Sequence, residues 1–243
     1  MLKRFSVASP FIAAVIATTL AVSASFSFAE ESPSRVLRHA VFFAFNDDSS
    51  KEDIAAVVEA FRKLPSQIDT IIDYKDGVAT PGAKMADGFT HAFLLTFQDE
   101  AGRDDYLPHP AHQAFVEVLK PHKKDVFVVD YWGDPSDTQT GSALMHPVFF
   151  QFRDTATDAE VKAVEEDFAG LATKIDTVKH FEWGINNSPE DHDDGFTHCF
   201  MVTFDGPEGL AEYLPHPAHQ AFVKTLGPVE QIRVIDFVVE DER

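Results

Sequence analysis

The sequence predicts an α+β fold: two tandem units of the ferredoxin-like order β-α-β-β-α-β, their antiparallel sheets packed face to face with helices outside. Three observations lead there: a long internal repeat, alternating strand-like and helix-like apolar spacing within each copy, and strands that are apolar on both faces. The repeat is the plainest. Tyr106-Leu107-Pro108-His109-Pro110-Ala111-His112-Gln113-Ala114-Phe115-Val116 recurs unchanged from Tyr213 to Val223, Phe89-Thr90-His91 recurs as Phe196-Thr197-His198, and Ile68-Asp69-Thr70 as Ile175-Asp176-Thr177. The offset is 107 residues until one residue drops out late in the second copy, so that Asp130 aligns with Asp236. Units of about 95 residues are too long for a solenoid repeat and suit small domains. They are placed at 38–132 and 145–240, joined by a linker at 133–144 rich in Asp, Ser, Thr, Gly and Pro, a composition that resists packing.

Each unit is read the same way. Val41 to Phe45 is a short apolar run without helical spacing, hence a strand. Lys51 to Leu64 carries Ile54, Val57, Val58 and Phe61 at helical spacing behind the capping candidate Ser50. Ile68 to Val78 reads as a second strand, Ala79 to Asp87 as a polar loop, and Phe89 to Phe97 as a third strand. Glu100 to Leu119 is helical but broken at Leu107-Pro108-His109-Pro110, and Val126 to Trp132 is the fourth strand.

Alternation along the strands supplies the third observation. Val41, Phe43 and Phe45 face one way and Ala40, Phe42 and Ala44 the other; Phe89, Phe93, Leu95 and Phe97 oppose Ala92 and Leu94. Both faces therefore need cover. Two helices cover one, and the sheet of the second copy covers the other. The expected architecture is an internal dimer with pseudo-twofold symmetry.

Residues 1–29 are expected to be a secretory signal peptide, with Lys3 and Arg4 before an apolar run and Ser27 and Ala29 before the cleavage point. The mature protein would then be periplasmic or extracellular. Without Lys3 and Arg4 it has 18 basic residues against 40 acidic, a net charge of −22. That field disfavours nucleic acid and anionic membrane surfaces as partners. Beyond the leader no run is long and apolar enough to span a bilayer. Cys199 is alone in the chain, so it forms no internal disulfide, and its apolar neighbours predict a buried, inert thiol.

With these residues in place, the chain resembles a known family. His39 at the first strand, Gly88-Phe89-Thr90-His91 at the third, and Tyr106-Leu107-x-His109-Pro110-Ala111-His112 are similar to the stress-responsive α/β-barrel (Dabb) domain, as are His146, Gly195 to His198 and Tyr213 to His219. The resemblance implies an intramolecular dimeric α+β barrel. One branch of the family comprises plant polyketide cyclases that use a tyrosine and a histidine as an acid–base pair. Carried over, those positions are Tyr106 and His112, and Tyr213 and His219. Supporting or binding histidines fall on His39 and His91, and on His146 and His198; His109 and His216 complete the motif.

Two readings of these residues stand side by side. Proton abstraction beside a carbonyl needs a base titrating near neutrality, which His supplies, and a Tyr hydroxyl to stabilise the oxygen that gains charge. Equally, Pro110 suits the first position of a helix that His109 would cap, His112 one turn on can bond a nearby carbonyl, and His91 is explained as a satisfied core histidine. The first reading gives a small-molecule binder or lyase, with an apolar or aromatic ligand held between sheet and helices. The second gives a protein with a general or stress-related role and no assigned reaction. A metal reading rests on His109 with His112, His216 with His219, or the loop Asp191-His192-Asp193-Asp194, whose counterpart in the first copy lacks the cluster. No metal site and no cofactor is expected, because zinc spacing, a Gly-rich phosphate loop and a nucleophile elbow are missing from the sequence.

Overall fold

A computed structural model describes residues 35–80, 84–136 and 142–239. The leader expected at 1–29 and the middle of the linker lie outside them. In the first half the chain runs β1 (Val36–Phe45), α1 (Lys51–Arg62), β2 (Ile71–Ala79), β3 (His91–Phe97), α2 (Glu100–Tyr106), α3 (Pro110–Leu119) and β4 (Lys123–Gly133). The second half repeats this as β5 (Ala143–Phe152), α4 (Asp158–Ala169), β6 (His180–Ile185), β7 (His198–Phe204), α5 (Pro207–Tyr213), α6 (Pro217–Val223), β8 (Val229–Val234) and β9 (Phe237–Val239).

Local chemistry sets the boundaries. Ser50 accepts from the Asp53 N–H while Asp53 reaches back to the Ser50 N–H, a capping box that starts α1; Thr157 and Glu160 do the same for α4. Pro108 and Pro110 split the predicted long helix into α2 and α3, because neither proline can donate a helical hydrogen bond. β1 starts five residues before the apolar run, since Arg38 and His39 are buried with partners. Phe89 corrects the alternation read above. It precedes β3, in a turn where Asp87 (φ 48°) and Gly88 (φ 89°) are left-handed, and it packs with Ala92 and Leu94 instead of opposing them.

The two faces of β1 divide as its alternation predicts. Val41, Phe43 and Phe45 pack under α1 and α3 with Phe61, Phe93 and Phe115. Ala40, Phe42 and Ala44 turn inward and meet Met145, Phe149, Cys199 and Met201 of the second half. Cys199 is fully buried there, and burial pushes its thiol well above the ordinary range.

Two separate four-stranded sheets are expected, yet the strands form one nine-stranded, nearly closed sheet in the order β4-β1-β3-β2-β9-β5-β7-β6, with β8 also on β5. Pro147 is the reason. It stands where the first half has Ala40 and has no N–H to give, so the β5–β8 ladder stops at Val148–Val234 and resumes as β5–β9 at Met145–Phe237. β9 then pairs with β2 through Gly77–Val239, Val78–Val238 and Ala79–Phe237. The opposite seam, between β4 and β6, is held mainly by the side chains around Arg38 and Glu182.

Each seam has a glycine at a close approach of backbones, and these two, Gly77 and Gly184, are repeat counterparts. A Cβ on Gly77 would lie 2.3 Å from the Val238 carbonyl oxygen, and one on Gly184 would lie 2.8 Å from Tyr131 Cβ. Gly77→Ala is expected to cost roughly 1–3 kcal/mol by forcing the strands apart. Gly227→Ala, where an added Cβ meets nothing within 4 Å, should stay within about 0.5 kcal/mol. Urea denaturation of both checks this, and equal midpoints would remove the close-approach argument.

Arg233 ties the halves together near the pseudo-twofold axis. It bonds Asp87 at 2.9 Å and Asp194 at 2.7 Å, which are repeat counterparts, and lies over the rings of Phe89, Phe127 and Phe196 at 5.0, 4.4 and 4.7 Å. Its own counterpart is Phe127. A symmetric dimer would place two arginines or two phenylalanines here, whereas the tandem chain places one of each and gains a cation–π contact.

Candidate functional site

Each half holds a cavity between its sheet and its helices. The first, about 350 Å³, has apolar walls from Val41, Phe43, Phe61, Phe115 and Val128 and a polar end made by His39, Tyr106, His112, Glu190 and His192. The second, about 330 Å³, has His146, His219 and Asp236 at its polar end and Lys84 and Met85 at its rim. Each lid comes from the opposite half. The Val128 N–H donates to the His192 carbonyl and the Asn187 N–H to the Asp130 carbonyl; the counterparts are Val234 N–H to Met85 and Thr80 N–H to Asp236.

Register brings the first polar end together. His39 on β1 lies directly across from Asp130 on β4. Its Nδ1–H donates to Asp130 Oδ1 at 2.7 Å, and Arg103 Nη1 from α2 donates to Asp130 Oδ2 at 3.1 Å. Burial opposes the imidazolium of His39, but the charge and hydrogen bond of Asp130, with Glu190, outweigh it and raise its pKa. Tyr106 is wholly buried at the end of α2, with its ring 5.6 Å from that of His39 and 4.3 Å from that of His112. Burial, then Glu190 and Asp130, hold its phenol well above the usual range, so it is a neutral O–H.

The broken helix positions His112. With α2 ended, the Leu107 carbonyl is free and accepts from His112 Nδ1–H at 2.9 Å and from Gln113 Nε2 at 2.8 Å. A carbonyl only accepts, so Nδ1 carries the proton and Nε2 keeps its lone pair. Burial lowers the His112 pKa, which keeps the ring neutral. A fixed tautomer with an open Nε2 beside a neutral phenol is an arrangement able to take up and return a proton.

The second half repeats only part of this. His146 Nδ1 lies 2.5 Å from Asp236 Oδ1, and His219 Nδ1–H donates to the Leu214 carbonyl at 2.9 Å. Tyr213 lies 4.5 Å from His219 with its ring tilted 47° to it and is wholly buried, but its hydroxyl has no hydrogen-bond partner among the described residues and it does not line the cavity. Leu210 stands where the first half has Arg103.

Other predicted residues sit elsewhere. His109 and His216 accept from the Ala111 and Ala218 N–H groups as helix caps and line neither cavity. His91 packs edge-on against Phe45 at 5.0 Å, and His198 bonds Glu165 at 3.0 Å; both lie outside the cavities. In the acidic loop, Asp194 bonds Arg233 and Asp193 bonds Asn186 and the Gly195 N–H. Among the described residues no three His, Cys, Asp or Glu side chains converge as a metal site. Asp130, Arg103 and Glu190 are site residues that no motif in the sequence marks. Asp130 and Asp236 enter the sequence analysis only through the alignment, although an aspartate kept in both copies amid apolar neighbours is a usable signal.

No helix among the described residues is long and apolar enough to cross a membrane. The "Stress responsive A/B Barrel Domain" family matches residues 37–133 and 144–239. The stress-response A/B barrel domain-containing protein HS1 of Arabidopsis thaliana is 34% identical over 95 residues, 39% of this chain and 87% of that protein. Olivetolic acid cyclase of Cannabis sativa is 30% identical over 80 residues, 33% of this chain and 79% of the cyclase. A solved structure from Fusobacterium nucleatum superposes with TM-score 0.57 at 8% identity, over 86% of this chain and 95% of that one, a likeness of fold alone.

Proposed function

Since the chain belongs to the stress responsive A/B barrel domain family and carries two of its domains, we propose that it is an exported binder of a small apolar or aromatic molecule, with proton-transfer chemistry in its first half. One observation carries this reading: the 350 Å³ cavity ends on the open Nε2 of a neutral His112 and on the neutral hydroxyl-bearing Tyr106. Apolar walls with few polar groups at one end are the usual form of a small-molecule site. The likeness to olivetolic acid cyclase points the same way, towards abstraction of a proton beside a carbonyl by His112 while Tyr106 bonds the oxygen that gains charge.

The test is to purify the chain natively from its source and identify bound small molecules by mass spectrometry, with and without His112→Ala and His219→Ala together. The expected result is a compound that is lost in the double variant; turnover of a matching carbonyl compound should then fall about 10²–10⁴-fold. N-terminal sequencing of the same material should read Glu30 first if the protein is exported. A chain that carries nothing, and that only loses stability on substitution, would make the histidines part of the scaffold and leave a general role in stress.

A further inference from the structure

The two cavities share a backbone plan but not a chemistry, and the difference centres on one side chain. Glu190 rides on the lid that the second half lays over the first cavity. Its Oε1 is buried and has no hydrogen-bond partner among the described residues. It lies 3.9 Å from His39 Nε2, too far for a direct hydrogen bond. A single oxygen placed about 2.8 Å from each would bridge them.

We propose that the first cavity is a composite of both halves that clasps a ligand hydroxyl between His39 Nε2 and Glu190 Oε1, while the second cavity takes its ligand without regard to a hydroxyl. The inference rests on the binding reading above and adds the selectivity of each site. The hydroxyl accepts from the His39 N–H and donates to the Glu190 carboxylate. Asp130, held from behind by Arg103, fixes the orientation of His39 and raises its affinity for a second proton, and it is the imidazolium form whose Nε2–H donates. Tyr106 and His112 face the same polar end and stay neutral, and the charges of Glu190 and Asp130 are matched by those of His39 and Arg103, so the site carries no uncompensated charge and suits a neutral ligand.

The clasp does not carry over to the second cavity. The backbone bonds that seat its lid are the same, but the counterpart of Glu190 is Ala83, that of His192 is Met85, and that of Arg103 is Leu210. His146 still meets Asp236, yet among the described residues that line this cavity Asp236 is the one carboxylate.

The experiment uses the whole mature chain and two neutral probes that differ by one hydroxyl, indan-2-ol and indane, followed by calorimetric titration. Val116→Trp fills the first cavity and Val223→Trp, its repeat counterpart, fills the second. Indan-2-ol should bind at least tenfold more tightly when only the first cavity is open than when only the second is. Glu190→Ala, which copies the second half, should abolish that difference. Equal affinities of indan-2-ol for the two cavities, or an unchanged affinity in Glu190→Ala, would overturn the bridging role and leave the binding reading standing. Failure of both probes to bind either cavity would remove the binding reading and this inference together.

Discussion

Arg38→Met is expected to lower the unfolding free energy by about 3–5 kcal/mol, the usual cost of leaving a buried charge without its partner. Arg38 and Glu182 have side chains only 2% and 3% exposed. The guanidinium reaches both carboxylate oxygens, at 3.0 and 3.3 Å, and also bonds Thr96 and the Asp134 carbonyl. Glu182 in turn accepts from the Tyr131 hydroxyl and the Asp134 N–H. This cluster closes the β4–β6 seam. The opposite seam carries Met145, Lys75 and Phe237 at the positions of Arg38, Glu182 and Tyr131, and is held by backbone pairing instead. Arg38→Met combined with Glu182→Leu should therefore regain most of the loss, because no buried charge is then stranded.

The same pair gives a pH signature. Burial alone would raise the Glu182 pKa, but His180, Arg38 and the Asp134 N–H bring it from 4.5 down to about 2. A depressed folded-state pKa means stability that is present above about pH 4.5 and is lost as pH falls through about 2. The shift corresponds to about 3 kcal/mol. Urea denaturation between pH 6 and pH 2 should show the gap between the parent chain and Arg38→Met closing as Glu182 takes up a proton. A gap that stays constant with pH would mean the lost stability came from packing, not from charge.

Phe149→Ala should cost about 3–5 kcal/mol, the range for a buried aromatic whose cavity is only partly refilled. Phe149 has 0% exposure in the barrel interior. It meets Phe42, its repeat counterpart, edge-on at 5.4 Å, and Phe127 at 4.8 Å and 88°. These rings come from both halves, so the cavity opens in the surface that joins them. Phe42→Ala should cost a comparable amount, and because the rings touch, the double variant should fall short of the sum. Urea midpoints and slopes measure this. A loss below 1 kcal/mol would show that the interior relaxes around the gap, and strict additivity would show that the two halves pack independently.

Much of the architecture is legible in residues because repetition and alternation are local signals. The eleven unchanged residues from Tyr106 to Val116 announce a second copy, and Phe42 opposite Phe43 announces a strand covered on both sides. Ser50, Thr157 and the prolines around His109 mark helix ends through bonds made within a few residues. The site is legible only in part. Tyr106 and His112 are found by resemblance, and the use of His109 as a cap follows from Pro110 beside it. Arg103 and Glu190 are not found, since nothing near them in the chain says they will meet Asp130 and His39.

The sequence by itself determined that there are two units, the order of elements in the first, the two apolar faces of β1, and the helix-end signals at Ser50, Pro108 and Pro110. Those depend on spacing and on contacts a few residues long. Only the tertiary structure decided that Pro147 divides the last strand and lets β9 join β2, that Phe89 turns into the barrel, and that each lid closes the opposite cavity. It also decided that the first polar end is built from β1, α2, α3, β4 and the lid of the other half, while Tyr213 is sealed away in the second. The reason is physical. Hydrogen bonds and charge interactions act over a few ångströms whatever the distance along the chain, so groups such as His39 and Glu190, 151 residues apart, acquire a shared chemistry only once the barrel has closed.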